Sequence, residues 1–306
     1  MAGGFDNLNK VELRTTNVYI ALIVFYLCLI LFTGGFFMKK KSIWITILVA
    51  VLVVAAIVGT IFYRRDSNGK PFKASLNHEK VMMTPDWNAT VRLKANKGAT
   101  YRVLNSDKKV IQGTHKTTKG KANIVLTKTG DYTVVAKSDN GHVSRKLPVR
   151  VTHYKANINK WTNAAGPLKF KITSVDYQEL AKSKKNKPDD SLVDAAYKQL
   201  NNHYYQIKVN YIVKNDGKKA VSPEYTFWNP EDDEGQEFST QSPTPEAIAS
   251  DTIVGTEDIG AHSSRAGTVT MLSNNKFSVK HLKFSVGEVL DNGGEHIAKG
   301  GIAKLK

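Results

Sequence analysis

Five carboxylates crowd into seven residues at Glu231, Asp232, Asp233, Glu234 and Glu237. Hard cations such as Ca2+ take several carboxylate oxygens at once, so Glu231, Asp232, Asp233 and Glu234 form a candidate calcium site. The spacing departs from an EF-hand loop, where acidic ligands alternate and a glycine follows them. A charged hairpin tip is the plainer expectation. Catalysis would need tighter signatures. The chain has no Gly-x-Ser-x-Gly elbow, and Ser263 and Ser264 read as turn residues. Its eight histidines are scattered, with no His-Glu-x-x-His pair, and no phosphate-binding Gly-x-x-x-x-Gly-Lys-Ser/Thr loop occurs. The expectation is a protein without enzymatic activity, cofactor or dedicated metal.

The second feature is basic. Lysine and arginine number 44 against 27 aspartates and glutamates, a formal net charge of +17. Residues 66–155 hold 18 basic and 6 acidic residues, whereas 156–306 hold 19 of each. The excess is therefore local. Within that segment Lys108, Lys109, Lys119 and Lys121 fall at turn signals, where a polyanion can reach them; Lys94, Lys97, Lys116 and Lys128 belong to the same run. Two readings stand: a solvated lysine-rich surface, and attraction to an anionic layer such as phospholipid headgroups or phosphate-rich cell-wall polymer. Nucleic acid is not expected, because the RNA-binding aromatic motif is missing and the segment is expected outside the cell.

What places these residues is a β pattern behind an apolar front. Residues 43–63 are uncharged and apolar, flanked by Lys39, Lys40 and Lys41 before and Arg64 and Arg65 after. About twenty such residues at ~1.5 Å rise span a bilayer. Residues 18–37 form a second stretch of similar length. Either the two make a helical hairpin with the lysines at a cytoplasmic turn, or translation starts at Met38 and the lysines open a signal anchor. Both put the polar remainder outside the cytoplasm, at the cell membrane. An uncleaved anchor is expected, since the apolar core exceeds the ~7–15 residues of a secretory signal. Cys28 is the only cysteine and follows Phe25, Tyr26 and Leu27, so neither disulfides nor lipidation are expected.

After the linker at 66–74, apolar residues recur with period two at 90–95, 100–104, 109–112, 122–126, 132–136 and 142–151, separated by turn signals. Further strand candidates are 168–177, 203–214, 224–227, 252–259, 265–272 and 282–289. A short helix is expected at 191–201, with Ser191 as cap and Leu192, Ala195, Ala196 and Leu200 on one side. The organisation is a polar N-terminus (1–17), an apolar stretch (18–37), an anchor (38–65), a linker (66–74), a basic domain (75–155), a second β domain (156–290) and a tail or weak last strand (291–306).

Two stretches carry a resemblance. TGDYTVVAKSDNGHVSRKLPVRV, 129–151, resembles the last strands of bacterial immunoglobulin-like surface domains. HYYQIKVNYIVKNDGKKAVSP, 203–223, followed by DEGQEF, GAHSSRAG and KFSVGE, resembles the immunoprotective-extracellular-protein-like sandwich found in surface lipoproteins of Gram-positive bacteria. The chain departs from that family in lacking a lipid-anchor cysteine and in adding 182–202. These resemblances imply an all-β fold of two tandem immunoglobulin-like β-sandwiches behind one or two transmembrane helices. They imply an extracytoplasmic binding or adhesion protein of the Gram-positive envelope. A membrane sensor pairing with a protein partner through its helical hairpin is the alternative; an extracellular hydrolase would need a clustered acid, base or metal site.

Overall fold

Alternating burial runs through the strands at 89–95, 203–215 and 283–286. The computed structural model describes residues 70–187, 193–255 and 257–305. The two apolar stretches at 18–37 and 43–63 lie outside them; among the described residues no helix is long and apolar enough to cross a membrane. The protein is mostly β, built from several antiparallel sheets.

The first group comprises β1 (Ala74–Leu76), β2 (Lys80–Met82), β3 (Ala89–Ala95), β4 (Thr100–Asn105), β5 (Val110–Lys116), β6 (Lys121–Leu126), β7 (Gly130–Lys137) and β8 (Ser144–Thr152). They form a three-stranded sheet, β1-β3-β6, and a five-stranded sheet, β2-β8-β7-β4-β5. Only the short β2–β8 ladder is parallel. Inward positions are apolar and sealed: Val91, Leu93 and Ile124 from one sheet, Val103, Val134 and Val149 from the other. Burial on one face and lysine on the other follows from the two-residue period of a strand.

The second group comprises β9 (Tyr154–Trp161), β10 (Leu168–Ala181), α1 (Asp194–Gln199), β11 (His203–Asn215), β12 (Trp228–Glu231), β13 (Ile248–Ile253), β14 (Ser264–Ser273), β15 (Lys283–Val286), β16 (Val289–Leu290), β17 (His296–Ala298) and β18 (Gly301–Lys304). Its main sheet runs β13-β14-β11-β10-β9, beside β12-β15-β18 and the pair β16-β17. Phe170 of β10 stacks on Phe284 of β15 at 4.6 Å and 17°, so the two larger sheets meet through aromatic rings.

Three local expectations need correction. Residues 224–227 are not a strand: Thr226 N donates to Ser222 O at 2.9 Å, closing a turn, and pairing starts at Trp228. The strand expected at 252–259 is β13, because Ile248 and Ala249 are the buried residues. The helix is described from Asp194 behind Val193, with Val193, Ala196, Tyr197 and Leu200 buried and Ala195 exposed, while the expected cap Ser191 and its neighbour Leu192 lie outside the described residues. Of the two alternatives at the C-terminus, a tail or a weak last strand, the structure has strands: β17 and β18, with Ala303 of β18 fully buried against the β15 ladder.

Residues 73–139 and 144–306 make one compact unit, with the described residues 70–72 and 140–143 outside it. Trp87, fully buried at φ 53°, joins the strand groups within that unit. Its ring lies 4.5 Å from Tyr177 of β10 and 5.4 Å, edge on, from Tyr205 of β11.

Candidate functional site

The four turn lysines separate into two places. Lys108 and Lys109 close the β4–β5 hairpin, where Lys108 N donates to Asn105 O at 3.0 Å and Lys109 N to Asn105 Oδ1 at 2.8 Å. Lys119 and Lys121 belong to the β5–β6 turn, closed by Thr118 N to Lys121 O at 2.9 Å and Lys121 N to Thr118 O at 3.0 Å. The seven residues of β5 lie between, roughly 20 Å at a strand's rise. The structure therefore does not bring all four together.

At the Lys119 end it gathers others. Lys73 N donates to Asn96 Oδ1 at 2.9 Å, and Ala95 N to Gly120 O at 2.7 Å, so the start of β1, the 96–98 turn and the 118–121 turn share one corner. Lys94 stands opposite Lys121 in the β3–β6 register, and Thr100 stands opposite both Lys116 and Lys137. With Lys97 and Lys119 this makes seven exposed lysines, none in an ion pair among the described residues. Asp139 is the only acidic residue in the segments that supply them. Like charges directly opposite across strands repel. Lys73 and Lys137 were missed from the sequence because only strand register reveals their neighbours.

Backbone geometry adds a second signal. Lys119 (φ 51°) and Gly120 (φ 76°) are the central pair of a tight hairpin turn that demands positive φ at both. Gly120 is required, since a Cβ there would lie 2.3 Å from Ala95 O. Lys119 has no such excuse, and asparagine or glycine is the ordinary occupant. Lys108 (φ 62°) also takes a left-handed angle, singly, in the hairpin at the opposite end.

Beside the Lys108 end a groove of about 490 Å3 runs between the free edges of β5 and β6, lined by Ile111, Gln112, Val125, Lys128 and Tyr132 among others. Gln112 Nε2 donates to Val125 O at 2.6 Å across it. Tyr132 is buried, donates its hydroxyl to Lys128 O at 2.8 Å, and has its pKa raised by that burial.

The acidic run faces several ways. Asp232 is buried and accepts from its own hairpin, Glu234 N and Gln236 N at 2.9 Å. Glu231 accepts from Lys283 Nζ at 3.2 Å, and Asp233 accepts from Ser278 Oγ at 2.8 Å and His281 N at 2.6 Å. Glu234 is exposed. Among the described residues no group of three or more His, Cys, Asp or Glu is arranged to hold a metal ion. Ser278 Oγ also lies 2.5 Å from Asp86 Oδ1, so one hydroxyl sits between carboxylates of the two strand groups. The imidazole of His281 faces Asp233 at 3.3 Å rather than the serine, which is the geometry of a cross-link and not of a nucleophile with its base.

The aromatic residues near this run divide. Tyr225 and Phe227 are exposed, but Trp228 is buried and donates from Nε1 to Tyr211 Oη at 3.0 Å. Tyr211 in turn donates to Asp251, whose two oxygens each lie 2.8 Å away. Burial pushes the Asp251 carboxyl up from 3.8 to about 6, opposed by these hydrogen bonds.

The class defined so far is a β-rich protein of several antiparallel sheets with a basic open surface. No protein-family model matches the chain. No curated protein matches its sequence. Among solved structures it is similar to a functionally unknown protein from Listeria monocytogenes EGD-e, at 12% identity over 49% of this chain and 84% of that one, with a TM-score of 0.32. It is also similar to a conserved hypothetical protein from Bacillus anthracis, at 10% identity over 48% of this chain and 96% of that one, with a TM-score of 0.26. At these values neither likeness says what the chain does.

Proposed function

We propose that this is a non-enzymatic, membrane-anchored binding protein of the Gram-positive cell envelope, with its β-rich part outside the cytoplasm. In this reading the strands fold as two tandem immunoglobulin-like sandwiches. The first associates with anionic envelope polymer or lipid, and the second presents a surface to a partner. The observation that carries it is the set of exposed lysines at both ends of β5 that make no ion pair among the described residues. Cations left unpaired at loop tips attract polyanions at long range and are screened by salt.

The test is retention of the full chain, reconstituted in zwitterionic vesicles, by isolated phosphate-rich wall polymer and by anionic vesicles over a salt series. Retention that falls with salt, and is lost in the combined Lys108→Gln, Lys109→Gln, Lys119→Gln, Lys121→Gln variant, supports the proposal. Absence of retention at low salt refutes it.

A further inference from the structure

Chain connectivity tells the two basic ends apart. The polypeptide enters the compact unit at Lys73, in the corner that holds Asn96, Gly120 and the seven unpaired lysines. It leaves the first strand group through the end of β8, which lies at the opposite end: Tyr132 pairs with both Asn105 and Val149, and Gly130 pairs with Val151. Lys108, Lys109 and Lys128 belong to that exit end. That end also holds Asp107, and Asp131 there pairs with Arg150 at 3.7 Å. The entry end has one acid against seven cations.

From Arg65 to Lys73 is eight residues, a tether of at most roughly 28 Å when fully extended. A bilayer that held residues 43–63 would therefore stay within reach of the entry end, while the exit end, roughly 20 Å further off at a strand's rise, could meet it only by folding back along the tether. Wall polymer would also favour the more basic entry end, but no tether holds it there. We propose that the entry-end lysines dock on anionic phospholipid headgroups of the same bilayer that anchors the chain. This rests on the membrane anchorage proposed above and assigns the ligand of one end. The Lys94–Lys121 opposition and the Lys116–Thr100–Lys137 row, repulsive in the free protein, are relieved by a sheet of phosphates.

The experiment uses the full chain with Cys28→Ser, carrying a fluorophore either at Thr118→Cys, on the entry end, or at Ser106→Cys, on the exit end; both positions are exposed. Vesicles of phosphatidylcholine, with or without phosphatidylglycerol, contain a trace of lipid bearing a headgroup quencher. Quenching at 118 should rise several-fold with the anionic lipid and collapse in high salt, while the signal at 106 stays flat. Each lysine near an anionic surface weights the docked population roughly fivefold, so Lys97→Gln with Lys119→Gln and Lys121→Gln lowers it by roughly a hundredfold. Lys108→Gln with Lys109→Gln leaves the quenching at 118 unchanged. Quenching at 118 that ignores anionic lipid, or equals that at 106, overturns docking. If docking fails while the same vesicles still capture wall polymer in a salt-sensitive way, only this inference falls; if the chain neither enters vesicles nor captures polymer, the envelope reading falls with it.

Discussion

Asp251 offers a test in which the sign is fixed by burial. Its carboxyl sits among Tyr211, Trp228 and the sheet, and burial holds its proton up to about pH 6 against 3.8 in an open chain. That difference corresponds to roughly 3 kcal/mol between the protonation states. Between the two values the folded chain binds a proton that the unfolded chain has lost. This group's contribution is therefore fully present below pH 3.8 and is lost as pH rises through 6. Asp194 and Asp216 run the other way, since hydrogen bonds from Lys187 and Lys198, and from Lys169 and Lys214, hold their carboxyls below the usual range. Their stabilisation fades in acid, but it is common to wild type and variant. In Asp251→Asn the amide oxygen still accepts from Tyr211 and nothing titrates. Urea unfolding of both proteins in the same detergent, followed by tryptophan fluorescence from pH 4 to 8, should show the stability of wild type relative to variant falling by about 3 kcal/mol as pH rises. For a chain of this size the same difference is roughly 6–12 °C in Tm. A difference that stays level, or grows with pH, would show that Asp251 is solvated and that the reasoning is wrong.

Five further substitutions separate packing from charge. Trp87→Ala should cost about 3–5 kcal/mol by emptying the space beside Tyr177 and Tyr205, whereas Trp87→Phe should cost only about 1–2 kcal/mol, because the indole N–H has no hydrogen-bond partner to lose; chemical denaturation reads both. Lys119→Asn and Lys108→Gly should each stabilise by about 1 kcal/mol by relieving positive φ at a long side chain, and each should lower polyanion retention. Gly267→Ala would put a Cβ 2.4 Å from Cζ of Tyr211, so it should destabilise by about 1–3 kcal/mol and weaken the pH dependence assigned to Asp251.

A mostly β chain was legible wherever one face is buried, as in β3, β7 and β11, whose alternation is nearly unbroken. It was illegible where neither face is. In β9, YKANINKW, Tyr154, Ala156 and Ile158 alternate with exposed polar residues but none is fully buried, so the strand that pairs with β10 gives only a weak apolar signal. In β18 only Ala303 is buried, and the glycines and lysines around it look like a tail. The turn lysines were found because Asn, Asp and Gly mark turns in the sequence. Their division into two ends was not, since it depends on which strands pair. Asp251 was hidden for a related reason: its partner Tyr211 is 40 residues away, and nothing local marks the carboxylate as buried. Trp87 lies in a Pro-Asp-Trp-Asn loop that carries no periodic pattern, and its partners Tyr177 and Tyr205 lie in distant strands.

Position, rather than total, is what makes the charge informative. A surface that needs lysine only for solubility can place it on any outward strand position, interspersed with carboxylates and at ordinary backbone angles. Residues 156–306 do this, with 19 charges of each sign and ion pairs such as Lys169 and Lys214 about Asp216. At the entry corner the opposite choices recur: Lys119 occupies a left-handed turn position, Lys94 faces Lys121, and seven cations share a corner with one acid. Each choice is locally unfavourable, and a single anionic surface relieves the two electrostatic ones together. The same chain thus carries two treatments of lysine, and the unbalanced one sits where the sequence expects a bilayer eight residues away.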